Sequence, residues 1–257
     1  LFATPSMGGA RPKATVQDGD DYWLVKPGLM TDTVDLALLE HATMQWGRKA
    51  GLRFADTRHH PLGIGRSVLR ILRFDRRGAQ RIMTVSAASL LQVQYPPVEA
   101  ADSSGASYPR LAEELKRIGA PPEDGIELFG RMVFNGVVGN NDDHPRNHAV
   151  LFDLDQQRWR LSPAFDVVPD TQDDPGVLVM QVSAGRYDIT REAMLQDYLR
   201  FGFATHADAS DHFDALLKRI EDGYADIAPL LDAALRASMQ QRLQTMLAKL
   251  GVAPVVR

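Results

Sequence analysis

Asp142, Asn147 and Asp166 are the residues whose types and spacing could do chemistry. They stand in Asn140-Asn141-Asp142-Asp143-His144-Pro145-Arg146-Asn147 and in Ser162-Pro163-Ala164-Phe165-Asp166-Val167. Phosphoryl transfer to a hydroxyl needs one carboxylate to accept the hydroxyl proton. It also needs an amide and a second carboxylate to hold the cation that bridges the phosphates. Asp, four residues and then Asn is the spacing of a catalytic loop of that kind, and a Phe-Asp pair follows one predicted hairpin later. Asp-x4-Asn alone arises often by chance. The two elements in order, both on predicted loops, are more specific.

Several elements must position these groups. The nearly all-apolar run Ile126–Val138 leads into the first loop, and residues 123–138 read as a buried helix. The stretch Ala149–Leu161 alternates like a hairpin turning at Asp155-Gln156-Gln157. Upstream, Gly8-Gly9-Ala10-Arg11-Pro12-Lys13 feeds a short strand, a turn at Asp18-Gly19-Asp20 and a strand over Tyr22–Lys26. Such a loop can lay backbone N–H groups on phosphates, although an ordinary surface turn has the same composition. Lys26 ends the apolar run Trp23-Leu24-Val25 and could reach a nucleotide's phosphates, or simply be a solvated strand end.

Residues 33–50 read as a helix with Val34, Leu38, Ala42 and Trp46 on one stripe. Glu40 lies off it and could pair with Lys26; on pattern alone, a solvent-facing glutamate is the commoner fate. A strand near Arg53–Thr57, a turn over Pro61–Gly65 and a strand through Val68–Asp75 follow. Ile71–Phe74 would then run into a connector whose backbone faces an adenine edge. Ser86 reads as an N-cap for 87–91, Tyr95–Ser107 as a loop, and Tyr108–Ile118 as an amphipathic helix. Residues 177–183 read as a short strand or extended segment, and 190–201, 208–222 and 226–250 as helices. Met239, Leu243, Met246, Leu247 and Leu250 form a core stripe on the last of these.

The fold class expected is α+β: two lobes, protein-kinase-like, a small β-rich N-lobe over 1–75 and a larger, mostly helical C-lobe over 76–257. With 257 residues and 44% hydrophobic content the chain can bury two such lobes. It has no cysteine, which excludes disulfides and thiolate zinc sites and fits a reducing cytoplasm. A net charge of −4 argues against direct DNA binding by this chain alone. No stretch is apolar and long enough to span a membrane as a helix, and there is no signal-peptide pattern.

On Thr4–Lys13, Lys26, Glu40, Arg73-Phe74-Asp75-Arg76, Asn140–Asn147 and Ser162–Pro169, the chain resembles the HipA-like serine/threonine kinases, toxins of bacterial toxin–antitoxin systems. The sharpest shared motif is Asn-x-Asp-x-His-x-x-Asn, here Asn140, Asp142, His144 and Asn147. The resemblance implies ATP and Mg2+ as cofactors and a role for each residue. Asp142 would be the general base, and Asn147 and Asp166 the metal ligands. Lys26 would hold phosphates. Gly8, Gly9, Ala10 and Lys13 would form the phosphate loop, and Leu72 and Phe74 the adenine hinge. His144 would shape the catalytic loop through hydrogen bonds. Ser6 would be a self-inhibitory phosphorylation site, with Thr4 as the competing hydroxyl. A helix-turn-helix, HipB-like antitoxin would be the partner. The substrate would be a protein of translation such as an aminoacyl-tRNA synthetase. Family members carry a further N-terminal β-rich subdomain. Its absence here implies a trimmed chain, or a compact form completed by a separate small protein.

Three other readings stand beside this one. A divalent-metal hydrolase could use His144, His148 and Asp142 with Asp143 and Asp166, although Pro145 works against both rings sharing one helical face. A small-molecule kinase would keep the chemistry and change the acceptor. A pseudokinase or pure binding module sits poorly with three catalytic groups present.

Overall fold

The computed structural model describes residues 11–63, 66–97, 105–171 and 176–251. Thr4, Ser6, Gly8, Gly9 and Ala10, named above, lie outside the described residues.

Strands β1 (Ala14–Asp18) and β2 (Asp21–Pro27) form a hairpin through Gly19, whose φ of 63° suits a residue without a Cβ. Helix α1 (Leu36–Lys49) follows, its first turn capped by the Asp35 carboxylate accepting from the Leu38 N–H. Strands β3 (Thr57–Gly63) and β4 (Arg66–Leu72) complete an antiparallel sheet of order β1-β2-β4-β3. Alternation in β4 sends Ser67, Leu69 and Ile71 inward. Trp46 of α1 is fully buried; its indole N–H donates to the Ile220 carbonyl at 2.6 Å and its ring meets Phe134 edge-on. Helix α1 is thereby fastened to the helical part as well as to the sheet.

Three short strands come next: β5 (Arg76–Arg77), β6 (Gln80–Arg81) and β7 (Thr84–Ser86). Helix α2 (Ala87–Leu90) is capped by Ser86 as expected. Then come α3 (Tyr108–Arg117), α4 (Pro122–Val138), β8 (Ala149–Asp153) and β9 (Arg158–Leu161), with β7, β8 and β9 joined in one antiparallel sheet. Helices α5 (Arg191–Gln196), α6 (Tyr198–Phe201), α7 (His206–Ile227) and α8 (Ala233–Lys249) finish the described chain. Among the described residues no helix is long and apolar enough to cross a membrane.

Several elements differ from the sequence expectation for identifiable reasons. The stretch 53–56 is not a strand of the sheet. It leaves β3's line and makes one parallel bridge, Phe54 to Ala164, with the Ala164 N–H donating to the Arg53 carbonyl and the Ala55 N–H to the Ala164 carbonyl. Pro61 lies within β3 rather than in a turn; β3 is the sheet edge and its register shifts between Pro61 and Gly63, which tolerates the missing N–H. Residues 177–183 form no regular strand, because their N–H groups bond to the Asp143 carboxylate, Ala106 and residues 186–187 instead of to one neighbour. The predicted helix 190–201 breaks at Asp197, whose carboxylate accepts from the Ala184 N–H. Helix α7 starts at His206, two residues early, on a Thr205–Asp208 capping box. The predicted helix 226–250 begins only at Ala233, since Pro229 falls in a separate 3-10 turn.

Candidate active site

The Lys26 side chain runs inward from the end of β2 and is 12% exposed. Its Nζ donates to Glu40 Oε1 at 2.7 Å and to Asp166 Oδ1 at 2.6 Å. Glu40 is not solvent-facing: it is 5% exposed, turned from α1 toward the sheet. Burial pulls the Lys26 ammonium down, but Glu40 and Asp166 outweigh it and raise it. For Asp166, burial pushes upward, while the charge and hydrogen bond of Lys26 hold it below the usual range. Burial raises Glu40, with Lys26 pulling it back. The three groups form one ion cluster with Lys26 as the shared cation. Lys13 lies near enough for its charge to act on both carboxylates.

Asp166 is presented by an unusual backbone. Its φ is 59°, in the left-handed region that costs a non-glycine residue about 1 kcal/mol or more. The Phe54–Ala164 bridge anchors the chain two residues before it. Phe165 packs on Phe74, ring centres 5.4 Å apart. Phe74 therefore sits beside the Asp166 loop as well as on the stretch expected to face adenine. The Leu72 N–H is already given to the Asp56 carbonyl and the Arg73 N–H to Tyr22. Leu72 can thus offer a nucleotide its side chain but not its amide N–H.

Helix α4 ends at Gly139, φ 75°, where a Cβ would meet the Arg242 guanidinium at 2.9 Å. The catalytic stretch begins there. Asn147 donates its amide N–H to the Asp142 carbonyl at 2.9 Å, which leaves its amide oxygen for a cation. An amide oxygen and a carboxylate are the hard donors magnesium takes, and Asn147 and Asp166 line the same small cavity. The Asp142 side chain is 72% exposed, an accessibility that a general base would need. Burial of its surroundings raises its carboxyl, His144 opposes this, and the charge of Asp166 adds to the rise, all moderated by solvent screening.

Among the described residues the His144 side chain makes no hydrogen bond: its buried Nδ1 has no partner, and its Nε2 stands 3.8 Å from Asp142 Oδ1. It packs instead on Tyr95, ring centres 4.3 Å apart. His148 stands edge-on to Tyr108 and lines the same cavity as Asn147 and Asp166, and burial lowers its pKa to about 3. Among the described residues no three of His, Cys, Asp and Glu converge as a metal-holding group, so the hydrolase set His144, His148 and Asp142 is not assembled.

Sequence reasoning missed Asp143 as a structural residue. It is fully buried and accepts from the Tyr108 hydroxyl at 2.9 Å and the Val179 N–H at 2.6 Å. Burial raises its carboxyl to about 7 against the pull of those donors. The signal was Asn135, an amide inside an otherwise apolar helical run, since a buried amide requires partners. Also unread was Asp124, completely buried, which accepts from Arg53, Arg160 and the Leu161 N–H.

A small antiparallel sheet with one helix beside a larger helical part, and a lysine, glutamate and aspartate joined between them, define a two-lobed, protein-kinase-like α+β fold. The family model of the HipA-like C-terminal domain matches residues 5–249, and the chain belongs to that family. Among solved structures it is similar to the toxin HipA of Shewanella oneidensis MR-1, determined with HipB and operator DNA. The TM-score is 0.73 at 19% identity, covering 95% of this chain and 64% of that one. It is also similar to the Helicobacter pylori proinflammatory kinase CtkA, TM-score 0.62 at 13% identity, covering 93% and 90%. A curated relative named "Putative kinase Y4mE", from Sinorhizobium fredii, is 33% identical over 74 residues, 28% of this chain and 17% of that protein. The chain thus spans less than two thirds of HipA and a small part of Y4mE.

Proposed function

We propose that this chain is an ATP- and magnesium-dependent serine/threonine protein kinase and the toxin half of a toxin–antitoxin pair. The observation that carries the reading is Lys26 joined to both Glu40 and Asp166, with Asp142 exposed on the neighbouring loop. Asn147 and Asp166 would hold magnesium, whose positive charge would be set against that of the phosphates. Lys26 would exchange part of its contact with Asp166 for phosphate oxygens, with Glu40 keeping the ammonium aimed. Asp142 would accept the proton of the acceptor hydroxyl as that oxygen bonds to the γ-phosphorus and the bond to the β-phosphate oxygen breaks. Its raised carboxyl favours proton uptake.

The solved HipA stands in a complex with HipB and DNA. By analogy, a helix-turn-helix antitoxin would bind this chain and carry the DNA contact. The protein target would be a component of translation such as an aminoacyl-tRNA synthetase, and its phosphorylation would arrest growth. Phosphate on Ser6, or on Thr4, would add about −1.5 to −2 of charge beside the phosphate loop and so turn the enzyme off. Incubation with γ-labelled ATP, Mg2+ and a cell lysate, read for phosphoprotein bands, tests the reading. Peptide mass spectrometry on the chain itself tests Ser6 against Thr4.

A further inference from the structure

Asp143 stands next to the proposed base, yet its side chain faces the opposite way, into the protein. Both carboxylate oxygens are used. Oδ2 accepts from the Tyr108 hydroxyl, and Oδ1 accepts from the Val179 N–H. Tyr108 is fully buried, and its hydroxyl in turn accepts from Asn135 Nδ2 at 2.8 Å. Asn135 Oδ1 accepts from Asn140 Nδ2 at 3.2 Å. Every donor in this chain points one way, from Asn140 at the start of the catalytic loop, through α4 and α3, back to Asp143 in the same loop. The stretch 178–182 is gripped from its other side too. Gln181 donates its N–H to the Ala106 carbonyl, and its own carbonyl accepts from the Tyr108 N–H. This stretch follows Asp166 in the chain and lies against the loop that carries Asp142.

We infer that Asp143 is a positioning residue for the phosphate acceptor: it locks the stretch 178–182 onto the catalytic loop so that acceptor and Asp142 meet in one geometry. The inference rests on the kinase reading for its link to turnover, but not for the anchoring itself. Above about pH 7, where its carboxyl is ionised, Asp143 donates nothing and accepts from both Tyr108 and Val179. An isosteric amide cannot replace it. Whichever way an asparagine is turned, its NH2 meets either the Val179 N–H or the Tyr108 hydroxyl proton. A misplacement of an ångström near a reacting pair costs roughly 10–100-fold in rate. The Lys26–Glu40–Asp166 cluster shares no hydrogen bond with Asp143 among the described residues, so nucleotide binding should be spared.

The test uses the full chain as wild type, Asp143→Asn, Tyr108→Phe and the double variant, with dephosphorylated casein as the acceptor probe. Hydrogen exchange at the Val179 amide reads the anchor directly. It should be slow in the wild type and at least roughly tenfold faster in Asp143→Asn. Transfer to casein should fall roughly 10–100-fold in kcat/KM, while the Mg–ATP thermal shift stays at the wild-type value. Tyr108→Phe, which removes one hydroxyl and keeps the ring, should show a smaller loss of the same kind. The double variant should lose no more than Asp143→Asn alone, because the two side chains act through one contact. Unchanged Val179 exchange in Asp143→Asn would overturn the inference, as would equal losses of nucleotide binding and transfer. A wild type that labels nothing would sink the kinase reading, and the exchange result would still decide the anchor.

Discussion

Lys26 Nζ lies 2.6 Å from Asp166 Oδ1, although the two residues stand 140 positions apart in the chain. The contact closes the small sheet onto the loop that follows the β8–β9 hairpin. Glu40 completes it from α1, a helix that Trp46 also ties to α7. The groups that would handle nucleotide phosphates are therefore held together by the protein's own side chains.

Lys26→Met keeps the length of the side chain and removes the charge. Glu40 then loses its cation in a buried setting, and stability should fall by about 1–3 kcal/mol. The rise in Tm that Mg–ATP gives the wild type, a mass-action effect of binding the native state alone, should nearly vanish. Differential scanning fluorimetry with and without Mg–ATP reads both effects in one experiment.

Asp124 accepts from two arginines and a backbone N–H, and it joins α4 to β9 and to the stretch carrying Phe54. Asp124→Ala would leave Arg53 and Arg160 facing a buried void, at a cost of about 3 kcal/mol, kept at the low end because Arg53 is 40% exposed. The same stretch braces Ala164, two residues before Asp166. The variant should therefore also weaken Mg–ATP binding. Urea unfolding followed by nucleotide titration checks both.

Two buried groups behind the catalytic loop give opposite pH dependences. His148 is lowered from 6.5 to about 3, so the unfolded chain binds the extra proton between those values, and stability from this group is lost as pH falls from 6.5 toward 3. Asp143 is raised from 3.8 to about 7, so the folded chain holds the extra proton, and its contribution is lost as pH rises across that interval. His148→Phe removes the first effect and leaves the second. Its destabilisation relative to wild type should be larger at pH 7 than at pH 5. The gap should narrow by up to about 1.4 kcal/mol for each pH step of one below 6.5. Denaturant midpoints of both proteins between neutral and mildly acidic pH test this. A constant difference would contradict it.

How far the sequence could be read depended on the range of the interactions involved. The β1–β2 hairpin, α1, α3, α4 and the β8–β9 hairpin follow from local periodicity, caps and turn residues, and each stands close to where the pattern puts it. The interruption at Pro229 is local too, yet the apolar stripe on both sides of it concealed the break. Residues 53–56 are no strand of the sheet, and 177–183 are no regular strand, because their hydrogen bonds go to distant partners, Ala164 and Asp143, which no window of sequence contains. Glu40 looked solvent-facing on its helix for the same reason: the lysine that buries it lies across the lobe. Asp142, Asn147 and Asp166 stood out through their spacing, and the fold brings Asn147 and Asp166 to one cavity. Asp143 did not stand out, because its neighbours in the motif drew the chemistry and its own partners are Tyr108 and Val179.

In the proposed function, Asp142 would accept the proton in transfer from ATP. Asp142→Asn removes the basic oxygen while keeping the size of an exposed side chain, and it leaves Asn147, Asp166 and Lys26 in place. The most direct measurement is incorporation of label from γ-labelled ATP with Mg2+, by wild type and Asp142→Asn, alongside the Mg–ATP thermal shift of each. The expected result is labelled protein with the wild type, a loss of at least about 100-fold with the variant, and equal thermal shifts. Near-wild-type labelling by Asp142→Asn, or no labelling by the wild type under conditions where Mg–ATP raises its Tm, would contradict it.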